Sequence, residues 1–296
     1  MTRPVRVGAW LGWPTGLVLA LAHAAGALPT PAFGALALAY LVGTMLLLRR
    51  LGGLRDRAPA ALVLAGTGVF ALAGFTGAPT ARLPAVMLAN AAVLLAAAVT
   101  VLVAAVPLAL RVGPAGRVPA VLGVVALVVG SSGYMLNLLA RAAVVASGAA
   151  GQQVAVEDTA WAASAYLTGL PPEPTYLAFV LVWLDLTQLA YVVLTYLAFA
   201  GLATALGHAG VAAAPVARAV RRWGLALAVL TAAAALGAAV LPATADYVAA
   251  SMAFVLTIPF MSTLLPYAVG IGLLSRSTPP SPAAVGAARE ARPAAR

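Results

Sequence analysis

The stretch from Tyr176 to Leu206, YLAFVLVWLDLTQLAYVVLTYLAFAGLATAL, decides the fold. As a helix rising 1.5 Å per residue it outruns the roughly 30 Å hydrocarbon layer of a bilayer. Its apolar residues occupy every side of such a helix, whereas a helix on a soluble domain buries one stripe and keeps the opposite face polar. One acid, Asp185, interrupts the run. A carboxylate is costly at that depth, and is by default either paired or functional.

The rest of the chain repeats the pattern. Of its 296 residues, 64% are hydrophobic and 8% are charged, against about 25% charged in soluble domains. Five further apolar segments precede the quoted one, near residues 7–28, 32–48, 59–77, 85–110 and 118–147, and two follow it, near 223–241 and 248–274. The fold class expected is all-α: a polytopic integral membrane protein, a bundle of eight transmembrane helices over residues 1–274. Residues 148–174 form its longest connection, and residues 275–296, rich in Ala, Pro, Ser and Arg, read as a disordered tail. Residues 1–24 also have the shape of a cleavable signal, with Arg3 and Arg6 ahead of an apolar run and Ala22-His23-Ala24 as a small-x-small site. Trp10, Trp13 and Pro14 suit a retained first span equally well.

Charge placement sets the expected orientation. All seventeen basic residues are arginine, and the formal net charge is +10. With eight spans and the N-terminus inside, Arg3, Arg6, Arg49, Arg50, Arg55, Arg57, Arg111, Arg117, Arg218, Arg221, Arg222, Arg276, Arg289, Arg292 and Arg296 all fall on the inner side. Glu157, Asp158, Glu173 and Asp246 fall outside. This is the positive-inside distribution, with both termini cytoplasmic. Basic residues spread over loops in this way read as membrane topology and not as a nucleic-acid-binding face. The Ala, Val, Leu, Gly and Arg bias fits a high-GC bacterial proteome, and the expected location is a bacterial cytoplasmic membrane.

Several chemistries are excluded by residue type. Without lysine there is no retinal Schiff base, and without cysteine no disulfide, thiolate nucleophile or cysteine-held metal. The two histidines, His23 and His208, fall at opposite ends of the expected bundle, so no metal or cofactor site and no catalytic group is assigned. No phosphate-binding glycine loop occurs. Gly130-Ser131-Ser132-Gly133 has the look of an intramembrane serine-protease motif, but neither histidine has the position or order that such chemistry needs. Small residues that let helices approach explain the tetrapeptide better.

Polarity gathers in the outer half. Asp185 lies roughly 12 Å inward of Leu177, and Arg141 roughly 9 Å inward of Ser147. The two spans are consecutive and antiparallel, so an Arg141–Asp185 ion pair is expected. Asp185, Gln188, Tyr191 and Thr195 are spaced three, three and four apart; Tyr134, Asn137 and Arg141 follow the same rule. His23 and Asn90 also fall toward the outer side. These residues form the expected ligand or coupling site. Pro259 and Pro266, seven apart in the last span, mark an expected break or kink.

Three function classes follow. A transporter or permease-like carrier, or a binder of a small apolar or lipid-like ligand, fits the sparse interior polarity best. A non-catalytic membrane subunit or scaffold, joined to a protein partner or to a second copy, is the alternative. A membrane-embedded enzyme acting on a lipid or isoprenoid, with Asp185 as acid or base, is the third.

Overall fold

The computed structural model describes residues 3–24, 26–53, 56–76, 84–148, 176–240 and 261–277. Apart from short turns the described residues are all helical, without strands. Among the described residues eight α-helices follow one another: α1 (Arg3–Ala24), α2 (Thr30–Arg50), α3 (Arg57–Thr76), α4 (Pro84–Leu110), α5 (Arg117–Gly148), α6 (Tyr176–His208), α7 (Ala214–Val240) and α8 (Leu264–Ser277). Short 3-10 turns precede α5, at Pro114–Gly116, and α8, at Met261–Thr263.

The helices stop where backbone chemistry tells them to. After α1, α2 and α6 the chain turns through Gly26, Gly52 and Gly210, each at φ near +70° (73°, 76° and 67°). In each turn the glycine N–H and the next N–H reach back to two of the last helical carbonyls: Gly52 to Arg49 and Gly53 to Leu48, Gly210 to Gly207 and Val211 to Leu206. This double bond satisfies carbonyls that a helix end leaves open, and it needs a residue without a Cβ at the left-handed position.

Four helices contain stretches long and apolar enough to cross a membrane: Thr30–Arg50 in α2, Leu88–Leu110 in α4, Pro114–Ala140 running into α5, and Leu186–His208 in α6. Shorter apolar helices are Val7–His23, Arg57–Leu72 and Leu264–Arg276. The outer surface is apolar too. Leu110, Val118 and Val103 are 81%, 69% and 64% exposed. On α5 the exposed residues Val118, Val121, Leu122, Val125, Val128, Val129, Leu136 and Leu139 recur at helical spacing and form a continuous greasy stripe. Water does not tolerate so wide an apolar belt on a monomer.

α3 and α8 form the centre. Nearly every described α8 side chain is buried. Leu265, Val269 and Leu273 join the large core shared with α3, α4, α5, α6 and α7. Tyr267, Ile271 and Leu274 join a second core with α1, α2 and α3. Gly270 lets α8 close on α3: a Cβ there would come within 2.6 Å of the Pro59 carbonyl oxygen.

The arginines gather at one end. Arg111 grips Asp56 with two bonds of 2.8 and 2.9 Å, tying the α4 end to the α2–α3 connection. Arg276 donates to the Gly210 carbonyl, tying the α8 end to the α6–α7 turn. Arg49, Arg50, Arg57, Arg111, Arg117, Arg218, Arg221, Arg222 and Arg276 are all exposed there.

One expectation is corrected. α7 starts at Ala214 rather than near Trp223, so Arg218, Arg221 and Arg222 ride on its first turns instead of a loop. In the last span α8 begins at Leu264, directly after the 3-10 turn, and residues 241–260 ahead of that turn lie outside the described residues. Pro266 sits in its first turn, where a missing N–H costs no intrahelical bond. Pro259, the acids Glu157, Asp158, Glu173 and Asp246, residues 149–174 of the long connection and residues 278–296 of the tail lie outside the described residues.

Candidate functional site

α5 and α6 are the most extensively packed pair of helices, antiparallel neighbours as their succession in the chain implies. Glycines make the approach close. Gly116, which closes the 3-10 turn before α5, and Gly123 and Gly130 on α5 stand seven apart. A Cβ at Gly116 would lie 2.8 Å from the Ala205 carbonyl oxygen, and one at Gly123 would lie 2.7 Å from that of Ala198. At Gly130 it would meet Leu194 Cβ at 3.1 Å. From the other side, a Cβ at Gly201 would lie 2.9 Å from the Pro119 oxygen.

Outward from this glycine seam the interface becomes polar. Tyr134 and Tyr191 stack face to face, ring centres 4.2 Å apart and planes 8° from parallel. One turn further out, Asn137 Nδ2 donates to Thr187 Oγ1 at 2.9 Å, and Thr187 in turn donates to the Trp183 carbonyl at 3.1 Å. Asn137 is fully buried. The Tyr191 phenol stands against the hydroxyls of Thr195 on its own helix and of Ser262 in the 3-10 turn before α8. Gln188 is half-buried and engaged.

The register of these contacts places the two charges. Tyr134 opposite Tyr191 and Asn137 opposite Thr187 fix an antiparallel pairing, and one more turn brings Arg141 level with Leu184, beside Asp185. Depth therefore agrees with the expected ion pair. Face does not agree as simply. Arg141 continues the α5 stripe of Gly123, Gly130, Tyr134 and Asn137, which is turned to α6. Asp185 belongs to the α6 face of Val192, Phe199 and Ala203, seven, seven and four residues apart and wholly buried, not to the face of Thr187, Tyr191 and Ala198 that meets α5. The side chains of Arg141 and Asp185 lie outside the described residues, so the pair itself is an expectation.

His23 and Asn90 are placed elsewhere. His23 ends α1, its Nδ1 2.8 Å from the Leu28 carbonyl and its ring stacked on Phe33 of α2 at 4.4 Å. It belongs to the small α1–α2–α3 corner. Asn90 lies on α4, half-buried, with no hydrogen-bond partner for its Oδ1 among the described residues. Ser132 is exposed on α5, outside the packed interior where a serine nucleophile would act.

Residues that the spacing argument missed complete the site. Thr187 stands four before Tyr191, so the α5-facing stripe, Thr187, Tyr191, Leu194 and Ala198, was available from spacing. The break before α8 brings in two more. Ser262 meets Tyr191, and Thr263 Oγ1 accepts from Trp13 Nε1 of α1 at 2.9 Å. Trp13 also packs edge-on against Phe70 of α3, centres 5.2 Å apart. The break thus joins α6 to α1 through adjacent hydroxyls. Three more hydroxyls, Ser131 on α5, Tyr196 on α6 and Thr231 on α7, are fully buried without a hydrogen-bond partner among the described residues. Among these residues no group of histidines and acids could hold a metal.

Comparison with protein-family models, with curated proteins and with solved structures found no match.

Proposed function

We propose that this chain is a multi-pass protein of the bacterial cytoplasmic membrane, both termini inside, that carries a small apolar or lipid-like solute past the 3-10 turn at the start of α8. The observation that supports it is the 3-10 turn at Met261–Thr263. α8 rises about 20 Å from the arginine-rich end to that turn, which sets the break inside the apolar layer and beyond its midplane. Irregular backbone at such depth is tolerated where it is held by protein or lines a polar cavity, and interrupted helices are a recurrent way of building transport sites. Here the turn is held by Trp13 from one side and met by Tyr191 from the other.

The solute class follows from what surrounds the break. Aromatic rings, hydroxyls and two amides, Asn137 and Gln188, supply few hydrogen bonds, too few to replace the hydration shell of a strongly polar solute. Fully buried hydroxyls without partners cost about 1–3 kcal/mol each, and a solute with one or two polar atoms would offset that. Asp185, outward of that turn on α6, takes the coupling role.

The absence of cysteine makes the test clean. Ser262→Cys and Thr195→Cys, each the only thiol, are to be treated with a membrane-impermeant maleimide in right-side-out and inverted vesicles. A carrier exposes the break to each side in turn, so both preparations label. Labelling from neither side overturns the carrier reading and favours the second one, a scaffold or subunit. The glycine seam between α5 and α6 gives that reading its own support, because helices clamped backbone to backbone suit a rigid element held for a partner.

A further inference from the structure

The early start of α7 creates a surface that the carrier reading does not use. From Trp223 to Val240 the helix rises about 26 Å, close to the thickness of a hydrocarbon layer. Trp223 is 63% exposed, and an exposed tryptophan at the end of such a run marks the headgroup level. Arg218, Arg221 and Arg222 then lie between about 1.5 and 8 Å beyond it, where lipid phosphates sit. All three are exposed.

Their phase matters as much as their level. Arg218, Arg222, Leu225 and Val229 are spaced four, three and four apart, which is one face of α7. Leu225 is 48% and Val229 67% exposed. The opposite face, Ala217, Val220, Gly224, Ala228 and Thr231, is buried against the bundle. A single outward stripe is thus basic at headgroup level and apolar below it. Among the described residues no free acid stands at this end to neutralise it. Residues 209–240 contain none, and the acid described at this end of the bundle, Asp56, is held by Arg111.

We propose that this stripe is a binding site for an anionic phospholipid, its phosphate held by Arg218 and Arg222 with Arg221 beside them, its acyl chain lying along Leu225 and Val229. Guanidinium groups are suited to such a phosphate because they offer paired donors in a plane. A soluble phosphorylated partner would find the arginines but would have no use for the apolar stripe continuous with them. The site rests on the membrane-embedded reading and is independent of any carrier activity.

The test uses the full-length protein purified in a neutral detergent. Thermal unfolding is followed with dioleoyl-phosphatidylglycerol, with dioleoyl-phosphatidylcholine, and with inorganic phosphate. Phosphatidylglycerol is expected to raise the Tm of the wild type by about 2–4 °C, the other two by much less. The Arg218→Gln/Arg222→Gln variant is expected to lose that rise, while Arg49→Gln/Arg50→Gln, with the same charge change at the same end, keeps it. Equal loss in both variants would reduce the effect to the general field of the arginine-rich end and overturn the site. So would a rise retained in Arg218→Gln/Arg222→Gln, or an equal rise with inorganic phosphate. The thiol-labelling experiment on the helix break reads the carrier hypothesis separately, so failure of either leaves the other standing.

Discussion

Thr187 accepts the Asn137 amide proton and passes its own to the Trp183 carbonyl, so removing its hydroxyl without changing its shape isolates one interhelical bond. Thr187→Val is expected to lower stability by about 1 kcal/mol, the usual worth of such a bond between membrane helices, measured by thermal or denaturant unfolding in detergent. No loss would mean that the bond carries nothing. Asp185 is the opposite case. If it serves coupling, Asp185→Asn leaves stability within about 1 kcal/mol of wild type. A loss of about 3–5 kcal/mol, recovered when Arg141→Gln is added, would identify a structural ion pair instead and would move the reading toward a scaffold. The exposed Asp56–Arg111 pair has a smaller part. Its Arg111 is 41% exposed, so about 0.2–1 kcal/mol is expected from it, falling with added salt. The Asp56 hydrogen bond, ahead of the charge attraction, raises the Arg111 guanidinium above its ordinary value. A raised cation contributes fully below its unfolded value and loses that contribution only as pH rises through its folded one, so this share stays constant with pH across the neutral range.

At the scale of elements, the glycines divide into those that hold helices together and those that do not. Gly123→Ala would press a Cβ to 2.7 Å from the Ala198 carbonyl oxygen, forcing α5 from α6 at a cost of about 1–3 kcal/mol. Gly133→Ala, on the same helix with nothing within 4 Å, is expected to be neutral or to stabilise by up to about 1 kcal/mol through helix propensity. Equal effects of the two, compared by unfolding, would contradict the close seam. Much of this was legible in the sequence. Helix existence followed from apolar length, and the seam itself was written as glycines seven apart at 116, 123 and 130. Pro266 falls in the first turn of α8, where the proline spacing predicts a break or kink, while its partner Pro259 lies outside the described residues. The start of α7 was not legible, because three arginines end an apolar run on paper while costing a helix nothing once it leaves the lipid.

For the whole molecule, alternation of charge along the chain was the strongest signal, since each correct span returns the arginines to one side. The structure brings nine of them to one end, with Asp56–Arg111 and Arg276–Gly210 tying the connections together there. Which helices meet across the bundle was beyond the sequence. The rise of a helix fixes the depth of Arg141 and Asp185, but only packing decides which neighbour each face of α6 meets. The same limit kept Ser262, Thr263 and Trp13 out of the expected site, because their meeting joins positions 250 residues apart. It also left open which corner of the bundle His23 joins, because depth alone does not separate one corner of a bundle from another.

The account stands on an apolar bundle embedded in a membrane with its arginine-rich end inside. The most direct measurement is side-specific thiol labelling of three single-cysteine variants in a chain that has no other thiol. Ala115→Cys lies in the 3-10 turn at the arginine-rich end, Ala27→Cys in the turn at the opposite end, and Val125→Cys on the apolar belt, all three exposed. The prediction is that an impermeant maleimide labels Ala27→Cys only in right-side-out vesicles, Ala115→Cys only in inverted ones, and Val125→Cys in neither. Labelling of Ala27→Cys and Ala115→Cys from the same side, or rapid labelling of Val125→Cys from either, would contradict it.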